Sequence, residues 1–353
     1  MAYGPYVREM NLWFKHANQV TIIAPLDKLS KSDAIEINYE HMNIRFIAVP
    51  EFHLKTTSSI IKSIFTVPYI MLVIWWQIWG ASHIHLRCPG NMGLLGCIVQ
   101  VLFPWKKKTA KYAGNWDWKS KQPLSYRLQQ IILRSTILTK NMQALVYGVW
   151  ADRTINILPF FTASYSESDK IPVPNKSMND AVIRFIYVGT LTLNKQPLLA
   201  LDIFSTLMEC GKYLEMHFYG DGPLKNVLIK RINELGLITK VIIHGNVDSE
   251  KLKLAYQQSH FLLSYSKSEG WPKAVSEAMW WGCVPITTSV SCVRWMLNEG
   301  ANGFIINKPL QTKSEIYNCF TNPEVYTKMK SKAMDWSRNY TIEYFDKSIK
   351  HLI

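Results

Sequence analysis

The sequence predicts an α/β protein of two doubly wound domains, and three observations support this fold class. The length of 353 residues corresponds to about two domains. Apolar strand-like segments alternate with helical segments, as in parallel sheets covered on both faces. A polar, proline-rich stretch separates two such series. We therefore expect a first domain at 1–160, a linker at 161–180, a second domain at 181–330 and a helix at 331–353 that returns to the first domain.

The first half of the chain shows this alternation in a loose form. A helix is expected over 7–17, before strand-like segments and a long apolar helix. The later segments are a strand at 82–87, a helix at 90–103 and a strand with a loop at 108–116. A doubly wound domain opens with a strand before its first glycine loop, whereas AYGPYV already resembles that loop. We therefore expect the first strand of this domain to be missing.

The second half alternates strictly over about six strand–helix units. The predicted strands are AVIRFIYVGTL (181–191), LEMHFYG (214–220), KVIIHGNV (240–247), HFLLSYS (260–266) and VPITTS (284–289). A helical segment follows each of the first four strands. This pattern predicts one doubly wound domain.

Composition excludes several classes of protein. Hydrophobic residues make up 48% of the chain, which excludes a disordered protein. The six scattered cysteines contain no C-x-x-C and fit a reducing compartment. The start of the chain does not resemble a cleavable signal peptide, so we expect a cytoplasmic location. The net charge of +14 favours nucleotides or anionic lipid as partners, whereas nucleic acid has no supporting module.

The stretch between Lys62 and Arg87 carries no formal charge and is long enough to span a bilayer. Pro68 and the strand-like end of the stretch favour a helix buried in the first domain or lying in the bilayer interface. The segment WKKKTAKYAGNWDWKSK (105–121) interleaves lysines with tryptophans. It is either a solvated loop or a surface that binds anionic lipid.

The most informative segment is SYSKSEGWPKAVSEAMWWGCVPITTSVSCV (264–293). Here a strand ends in a serine-rich loop, and Pro272 suits the start of the next helix. The free amides of that helix face the crevice where open α/β sheets bind anions. Carboxylates would repel a phosphate, so Glu277 is expected to face a ribose diol and Glu269 a sugar ring. For Glu269 alone, complementing the helix dipole is the favoured alternative.

The E-x7-E pattern in EGWPKAVSE, followed by AMWWGCVPI, resembles the donor-site signature of retaining GT-B glycosyltransferases of family 4. IYVGTLTLNKQP (186–197), FYGDGP (218–223) and HGNV (244–247) are similar to that family at the expected distances. The similarity is specific over about 181–305. In the first domain, GPYVREMNLW, HLRCPGN and KYAGNW resemble a polysaccharide-biosynthesis branch more loosely.

This resemblance implies the GT-B fold, in which two Rossmann-like domains face a central cleft and a C-terminal helix crosses back to the first domain. It also implies transfer of a sugar from a nucleoside diphosphate sugar to a hydroxyl, with retention of configuration. The expected acceptor is a polyprenyl-linked molecule or a glycan, handled at the inner face of the plasma membrane. No metal or other cofactor is expected, and no D-x-D occurs in the chain.

The resemblance also implies roles for residues of the donor side. Glu277 would bind the ribose, Glu269 would bind hydroxyls of the transferred sugar, and Lys195 would grip the diphosphate. Thr190 stands where the family usually has arginine, so Lys273 or Arg87 would supply the missing phosphate contact. The other expected donor contacts are Gly189, Gly220, Gly222, Ser268, Gly270, Trp271 and Pro272. For the glycines of FYGDGP, a tight turn is the simpler interpretation.

The acceptor side offers weaker candidates. His85, at the end of a strand, is expected to bond a sugar hydroxyl as a catalytic candidate, and a hydrogen-bonded core histidine is the alternative. His83 and His85 lack a third ligand, so no metal site is expected there. The expected acceptor contacts are Tyr3, Gly4, Arg87, Asn115 and Trp116.

Other classes of function remain open. A catalytically silent nucleotide-sugar or lipid-binding module is consistent with Thr190 and the missing strand. A sugar-nucleotide epimerase is disfavoured by the E-x7-E pattern, and a nicotinamide enzyme by the absence of G-x-G-x-x-G.

Overall fold

The structure is a computed structural model that describes residues 2–26, 36–52, 57–306 and 309–353. Within these ranges, the side chains of Tyr3 and of residues 57–61 and 309–312 are not described. The chain forms two compact units. The first comprises Met1–Thr162 with Glu343–Ile353, and the second comprises Ala163–Ile342.

In the first unit, the described strands form three separate sheets. The elements are β1 (Ala2–Tyr3), α1 (Gly4–Phe14), β2 (Val20–Pro25), β3 (Glu36–Ile37), β4 (Ile44–Val49), α2 (Thr57–Gly80), β5 (His83–Cys88), α3 (Asn91–Val99), β6 (Lys107–Tyr112), α4 (Leu124–Arg134), β7 (Met142–Tyr147) and β8 (Ile157–Phe160). β5, β6, β7 and β8 form a parallel sheet in that order. β2 pairs with β4 in parallel, and β1 pairs with β3 in antiparallel fashion.

The second unit contains one continuous parallel sheet. Its elements are β9 (Ile183–Val188), α5 (Pro197–Leu207), β10 (Leu214–Tyr219), α6 (Lys225–Glu234), β11 (Val241–Gly245), α7 (Ser249–Gln258), β12 (Phe261–Ser264), α8 (Lys273–Trp280), β13 (Val284–Thr288), α9 (Val293–Met296), β14 (Phe304–Ile306), α10 (Pro309–Thr321) and α11 (Pro323–Ser337). The strand order is β11-β10-β9-β12-β13-β14. The order reverses between β9 and β12, so the loops after these two strands flank the point where such sheets bind ligands.

The two units differ in how complete their doubly wound pattern is. In the second unit, the opening strand β9 lies between β10 and β12. In the described part of the first unit, β2 pairs only with β4 and β5 pairs only with β6, so the two sheets are not joined by strand pairing.

The α/β class and the parallel sheets predicted from the sequence are confirmed. The second unit follows the prediction because its central strands are runs of buried residues, including Phe185, Leu263 and Ile286. Between helices and sheet these side chains form a single apolar core.

Several predicted boundaries differ from the structure. Gly4 begins helix α1 and so does not belong to an opening loop. β8, which pairs with β7, ends at Phe160, directly before the expected linker at 161–180.

The return to the first unit begins at Glu343, later than the expected residue 331. Helix α11 stays with the second unit, where Ser337 donates a hydrogen bond to the Ser276 carbonyl. The following helix α12 (Ile342–Lys350) places Phe345 against Phe160 and Phe161, with ring centroids 5.3 and 5.7 Å apart.

Within the described ranges, one helical segment is long and apolar enough to cross a membrane, judged by length and composition. This segment is Lys62–Gly80 in α2, with a mean hydropathy of 1.3. One face of the helix packs into the core of the first unit through Ile70, Ile74 and Ile78.

Candidate functional site

The loops that follow β9 and β12 are joined at the reversal point of the second sheet. The Lys195 ammonium forms an ion pair with the Glu269 carboxylate. Asn194 donates from its side-chain amide to the Ser268 carbonyl at 3.0 Å, and its own carbonyl accepts from the Lys267 amide at 2.8 Å. The structure thus brings together two residues that the sequence predicted separately for the diphosphate and the sugar.

Close backbone contacts explain the glycines of the neighbouring loops. At Gly220, where φ is +133°, a Cβ atom would lie 2.0 Å from the Gly189 carbonyl oxygen. At Gly222, a Cβ atom would lie 2.7 Å from the Leu191 carbonyl oxygen. Only glycine permits this approach of the loop after β10 to the loop after β9. These glycines therefore have a packing role, and their contact with a donor stays a prediction.

Glu277 lies on α8, eight residues after Glu269, and is held by two hydroxyl groups of the protein. Ser164 Oγ donates to one carboxylate oxygen at 2.7 Å, and the Tyr256 hydroxyl donates to the other at 3.4 Å. Burial raises the pKa of Glu277, although these hydrogen bonds and the nearby charge of Lys273 oppose that effect. The carboxylate therefore already accepts bonds from hydroxyl donors, the chemistry that a ribose diol would offer.

The start of α8 follows Pro272, and no described side chain caps it. Uncapped amides at a helix start suit an anion. The preceding loop is fixed by Ser291, which donates to the Gly270 carbonyl at 2.8 Å. Ser268 and Thr190 are exposed on the two loops.

The Trp271 ring is buried, with its indole N–H 3.2 Å from Ser276 Oγ. It packs with Trp295, Trp336 and Tyr340. Trp271 therefore supports the loop by packing, and its contact with a donor stays a prediction.

In the first unit, Arg87 belongs to a buried ion cluster around Glu9. Arg87 and Lys111 donate to the two Glu9 oxygens at 2.8 and 2.7 Å, and Thr162 adds a hydrogen bond at 3.0 Å. Burial alone would raise the pKa of Glu9, but the charges of Lys111 and Arg87 outweigh burial and lower it to about 2. Arg87 thus has the partner that a charge at this position needs, and the partner is a carboxylate of the same unit.

His85 is a hydrogen-bonded histidine packed beneath α1. Its Nδ1 lies 2.9 Å from Thr109 Oγ1, and its ring lies 4.2 Å from that of Trp13. Burial, followed by the charge of Arg87, lowers the pKa of His85 to about 3. Such a group is a weak proton acceptor at neutral pH. These contacts are those of the core alternative, and a bond from His85 to a sugar hydroxyl stays a prediction.

Two predicted acceptor contacts lie in the core of the first unit. Trp116 is 1% exposed and packs edge-on against Tyr112, so it has no free face for a sugar ring. Asn115 is also buried, and its side-chain oxygen accepts from the Asp117 amide at 2.9 Å. Core packing and a local turn occupy these two side chains, and their contact with a sugar stays a prediction. Gly4 is buried in α1, and the Tyr3 side chain lies outside the described residues.

Two lysines of the predicted basic segment (105–121) are buried, which the sequence did not predict. Lys108 and Lys111 lie in β6 and are 2% and 0% exposed, so neither belongs to a solvated loop or a lipid-binding surface. Lys108 donates to the Phe103 carbonyl at 3.0 Å, and burial lowers its pKa to about 8.

Several site residues were missed by sequence reasoning. Asn194 directly precedes Lys195 in the sequence, and this neighbouring position could have indicated it as a site residue. Ser164 and Tyr256 are far from Glu277 in the chain and gave no signal. Across the described residues, no group of three or more His, Cys, Asp or Glu side chains is placed to hold a metal ion.

Comparison with known proteins gives a family match for the second unit and a shared fold. A family model described as glycosyl transferases group 1 matches residues 170–336. A curated relative is the GDP-mannose:cellobiosyl-diphosphopolyprenol alpha-mannosyltransferase of Xanthomonas oryzae pv. oryzae (strain PXO99A). It is 33% identical over 81 residues, which are 23% of this chain and 21% of that relative. The match thus spans about a fifth of the relative's length.

Solved structures share the fold over nearly the whole chain. The structure of Anabaena Alr3699/HepE in complex with UDP and glucose has a TM-score of 0.67 at 11% identity, covering 99% of this chain and 95% of that chain. Sucrose-phosphate synthase from Thermosynechococcus elongatus has a TM-score of 0.65 at 15% identity, covering 98% and 91%.

The solved structures show that the chain has the GT-B fold. More particularly, residues 170–336 match the family model of glycosyl transferases group 1. The resemblance seen in the E-x7-E segment is confirmed for the GT-B fold and for the match to the group 1 model. Membership of family 4 and retention of configuration stay predictions.

Proposed function

We propose that this protein transfers a sugar from a nucleoside diphosphate sugar to a hydroxyl of a lipid-linked or polysaccharide acceptor, with retention of configuration. The observation that carries the proposal is the ion pair between Lys195 and Glu269, which joins the two loops at the reversal point of the second sheet. A cation next to a carboxylate suits a nucleoside diphosphate sugar, because the cation can bind the diphosphate and the carboxylate can bind the sugar hydroxyls.

The two side chains would act on different parts of the donor. The Lys195 ammonium would compensate the negative charge that develops on the diphosphate as it departs. Glu269 would accept hydrogen bonds from hydroxyls of the transferred sugar. Uncapped amides at the start of α8 would add positive potential for the diphosphate, and Lys273 stands at that start.

Retention follows from a front-face route. The bond between the anomeric carbon and the phosphate oxygen breaks, and the acceptor oxygen bonds to the same face of that carbon. The acceptor proton passes to the departing phosphate oxygen. No carboxylate nucleophile is required, which is consistent with Glu269 being held by Lys195.

The family match and the name of the curated relative support the choice of acceptor. That relative is named as an enzyme that acts with a diphosphopolyprenol, a lipid-linked sugar carrier. We extend this to an acceptor carried on a membrane lipid, and to a cytoplasmic enzyme at the inner face of the plasma membrane.

A panel of UDP-, GDP- and ADP-sugars tests the proposal. A donor that binds the folded protein raises the thermal unfolding midpoint, and turnover releases the nucleoside diphosphate. Stabilisation with release in the presence of an acceptor is the expected result. Stabilisation without any release would favour a silent binding module. No stabilisation by any donor would contradict the proposed site.

A further inference from the structure

Helix α2 carries two apolar faces, and only one of them is covered. Ile70, Ile74 and Ile78 are at most 5% exposed and belong to the core of the first unit. A step of two residues turns a helix by about 200°, so Leu72 and Trp76 lie opposite this buried stripe. They are 65% and 70% exposed.

The exposed face continues along the described part of the helix. Its members recur three or four residues apart, which places them on one side. They are Phe65 (79% exposed), Tyr69 (53%), Leu72 (65%), Trp76 (70%) and Trp79 (62%). We call this set the outer face of α2. It extends over about 21 Å at 1.5 Å per residue.

The outer face continues into the segment before β6. The ring of Phe103 lies 6.2 Å from that of Trp79 and 5.7 Å from that of Trp105. Trp105 is itself 61% exposed, as is Leu102. Lys106 fixes this junction, since its ammonium donates to the Trp79 and Ala81 carbonyls at 2.9 and 2.6 Å.

The charged residues of this stretch of sequence have one sign, and the Lys107 ammonium also donates to the Ile353 main-chain oxygen at 3.5 Å. Exposed lysines stand at both ends, Lys62 on α2 and Lys107 at the start of β6. No Asp or Glu occurs in the sequence between Glu51 and Asp117. An apolar surface with tryptophans and flanking lysines, built from a segment without Asp or Glu, suits the interface of an anionic bilayer.

We propose that the outer face of α2, together with Leu102, Trp105 and Lys107, docks the protein onto an anionic lipid bilayer with the helix lying parallel to the membrane plane. The packing of Ile70, Ile74 and Ile78 in the core opposes a spanning helix, because a span would withdraw these side chains from that core. Leu72 and Phe65 enter the acyl boundary, and the tryptophans lie at headgroup level. The inference rests on the proposed function for its biological role, which is to bring the enzyme to a lipid-linked acceptor.

Vesicle flotation tests the docking surface. The full chain is mixed with phosphatidylcholine vesicles, either pure or containing phosphatidylglycerol, and the bound fraction is measured. The variant is Leu72→Glu/Trp76→Glu. The matched control is Ile238→Glu, because Ile238 is 66% exposed in the second unit. The wild type should bind the anionic vesicles, and added salt should weaken the binding. The double variant should lower the partition coefficient about tenfold or more, and the control should match the wild type.

Three results would overturn the proposal: no binding of the wild type to anionic vesicles, equal binding of the double variant, or an equal loss in the control. Self-association that the double variant abolishes, without vesicle binding by the wild type, would assign the face to contact between copies. The unfolding midpoint without lipid verifies that the variant folds. Stabilisation by donor sugars, measured without vesicles, tests the proposed function separately, so failure of one proposal is distinguishable from failure of the other.

Discussion

The Lys195 ammonium and the Glu269 carboxylate form an ion pair that links the loops after β9 and β12. The two residues are 74 positions apart in the chain. They meet because the strand order of the second sheet reverses between the strands that precede them. When a donor enters, the phosphate would compete with Glu269 for Lys195, and sugar hydroxyls would compete with Lys195 for Glu269.

Replacing Lys195 with alanine should slow turnover strongly. Removal of a charge-stabilising donor from such a site typically costs about 2.7–4 kcal/mol, or about 100- to 1000-fold in kcat. Nucleoside diphosphate release with saturating donor measures this effect. Lys230→Ala is the matched control, because the Lys230 side chain is 80% exposed on α6. Turnover by Lys195→Ala at the wild-type rate would remove the lysine from the mechanism.

Gly220→Ala should destabilise the second unit far more than Gly236→Ala. Both glycines have positive φ, +133° and +67°, so both substitutions strain the backbone. A Cβ at Gly236 meets nothing within 4 Å, and strain alone costs about 1–2 kcal/mol. At Gly220 the contact with the Gly189 carbonyl adds to this strain, for a total of about 3 kcal/mol or more. Thermal unfolding measures the difference, and equal midpoints would refute the close approach of these loops.

Ser164→Ala should lower the stability of the protein, because it removes a hydrogen bond to Glu277. The Ser164 hydroxyl donates to this carboxylate at 2.7 Å, and hydrogen bonds to charged groups contribute about 1.5–3 kcal/mol. Urea unfolding should show a lower midpoint with an unchanged slope. Ser168→Ala serves as the control, because Ser168 is exposed and bonds only with Ser166 in the described structure. If both variants unfold alike, Ser164 does not support Glu277.

Stability should fall as the pH drops below about 6.5, partly through two histidines of the first unit. Burial, aided by nearby cations, lowers the pKa of His83 to about 4 and that of His85 to about 3, from an ordinary value of 6.5. Below pH 6.5 the unfolded chain binds protons that the folded chain does not, so folding loses about 1.4 kcal/mol per pH unit through the buried His85 and less through the partly exposed His83. Above that pH both histidines are neutral in the folded and the unfolded chain, so they add no pH dependence to the stability.

Unfolding of wild type and His85→Gln between neutral pH and pH 4 tests this dependence. The variant should be less stable overall, because the Thr109 hydrogen bond changes, but its slope against pH should be shallower. An unchanged slope would show that His85 titrates normally in the folded protein.

The second unit was largely predictable, because each of its strands is a short apolar run followed by a helical segment. Glu269 and Glu277 were found because they share one short segment with a recognisable spacing. Their ion pair and hydrogen bonds were not predictable, since Lys195, Ser164 and Tyr256 reach them only through the folded sheet.

The first unit was harder to predict from the sequence, because charged residues that become buried in the fold form no recognisable local sequence pattern. Lys111 belongs to a run of lysines that suggests a solvated surface. Its partner Glu9 lies 102 residues away, and Arg87 lies 78 residues from Glu9. Trp116 likewise resembles a sugar-stacking residue in sequence, and only the packing around it shows that its ring is buried.

Hydrogen–deuterium exchange with and without a saturating nucleoside diphosphate tests the central claim most directly. The account predicts slower exchange of the backbone amides at 189–196 and 265–273, the two loops joined by Lys195 and Glu269, and loss of that protection in Lys195→Ala. A bound nucleotide that protects other segments and leaves these two loops unchanged would contradict the account.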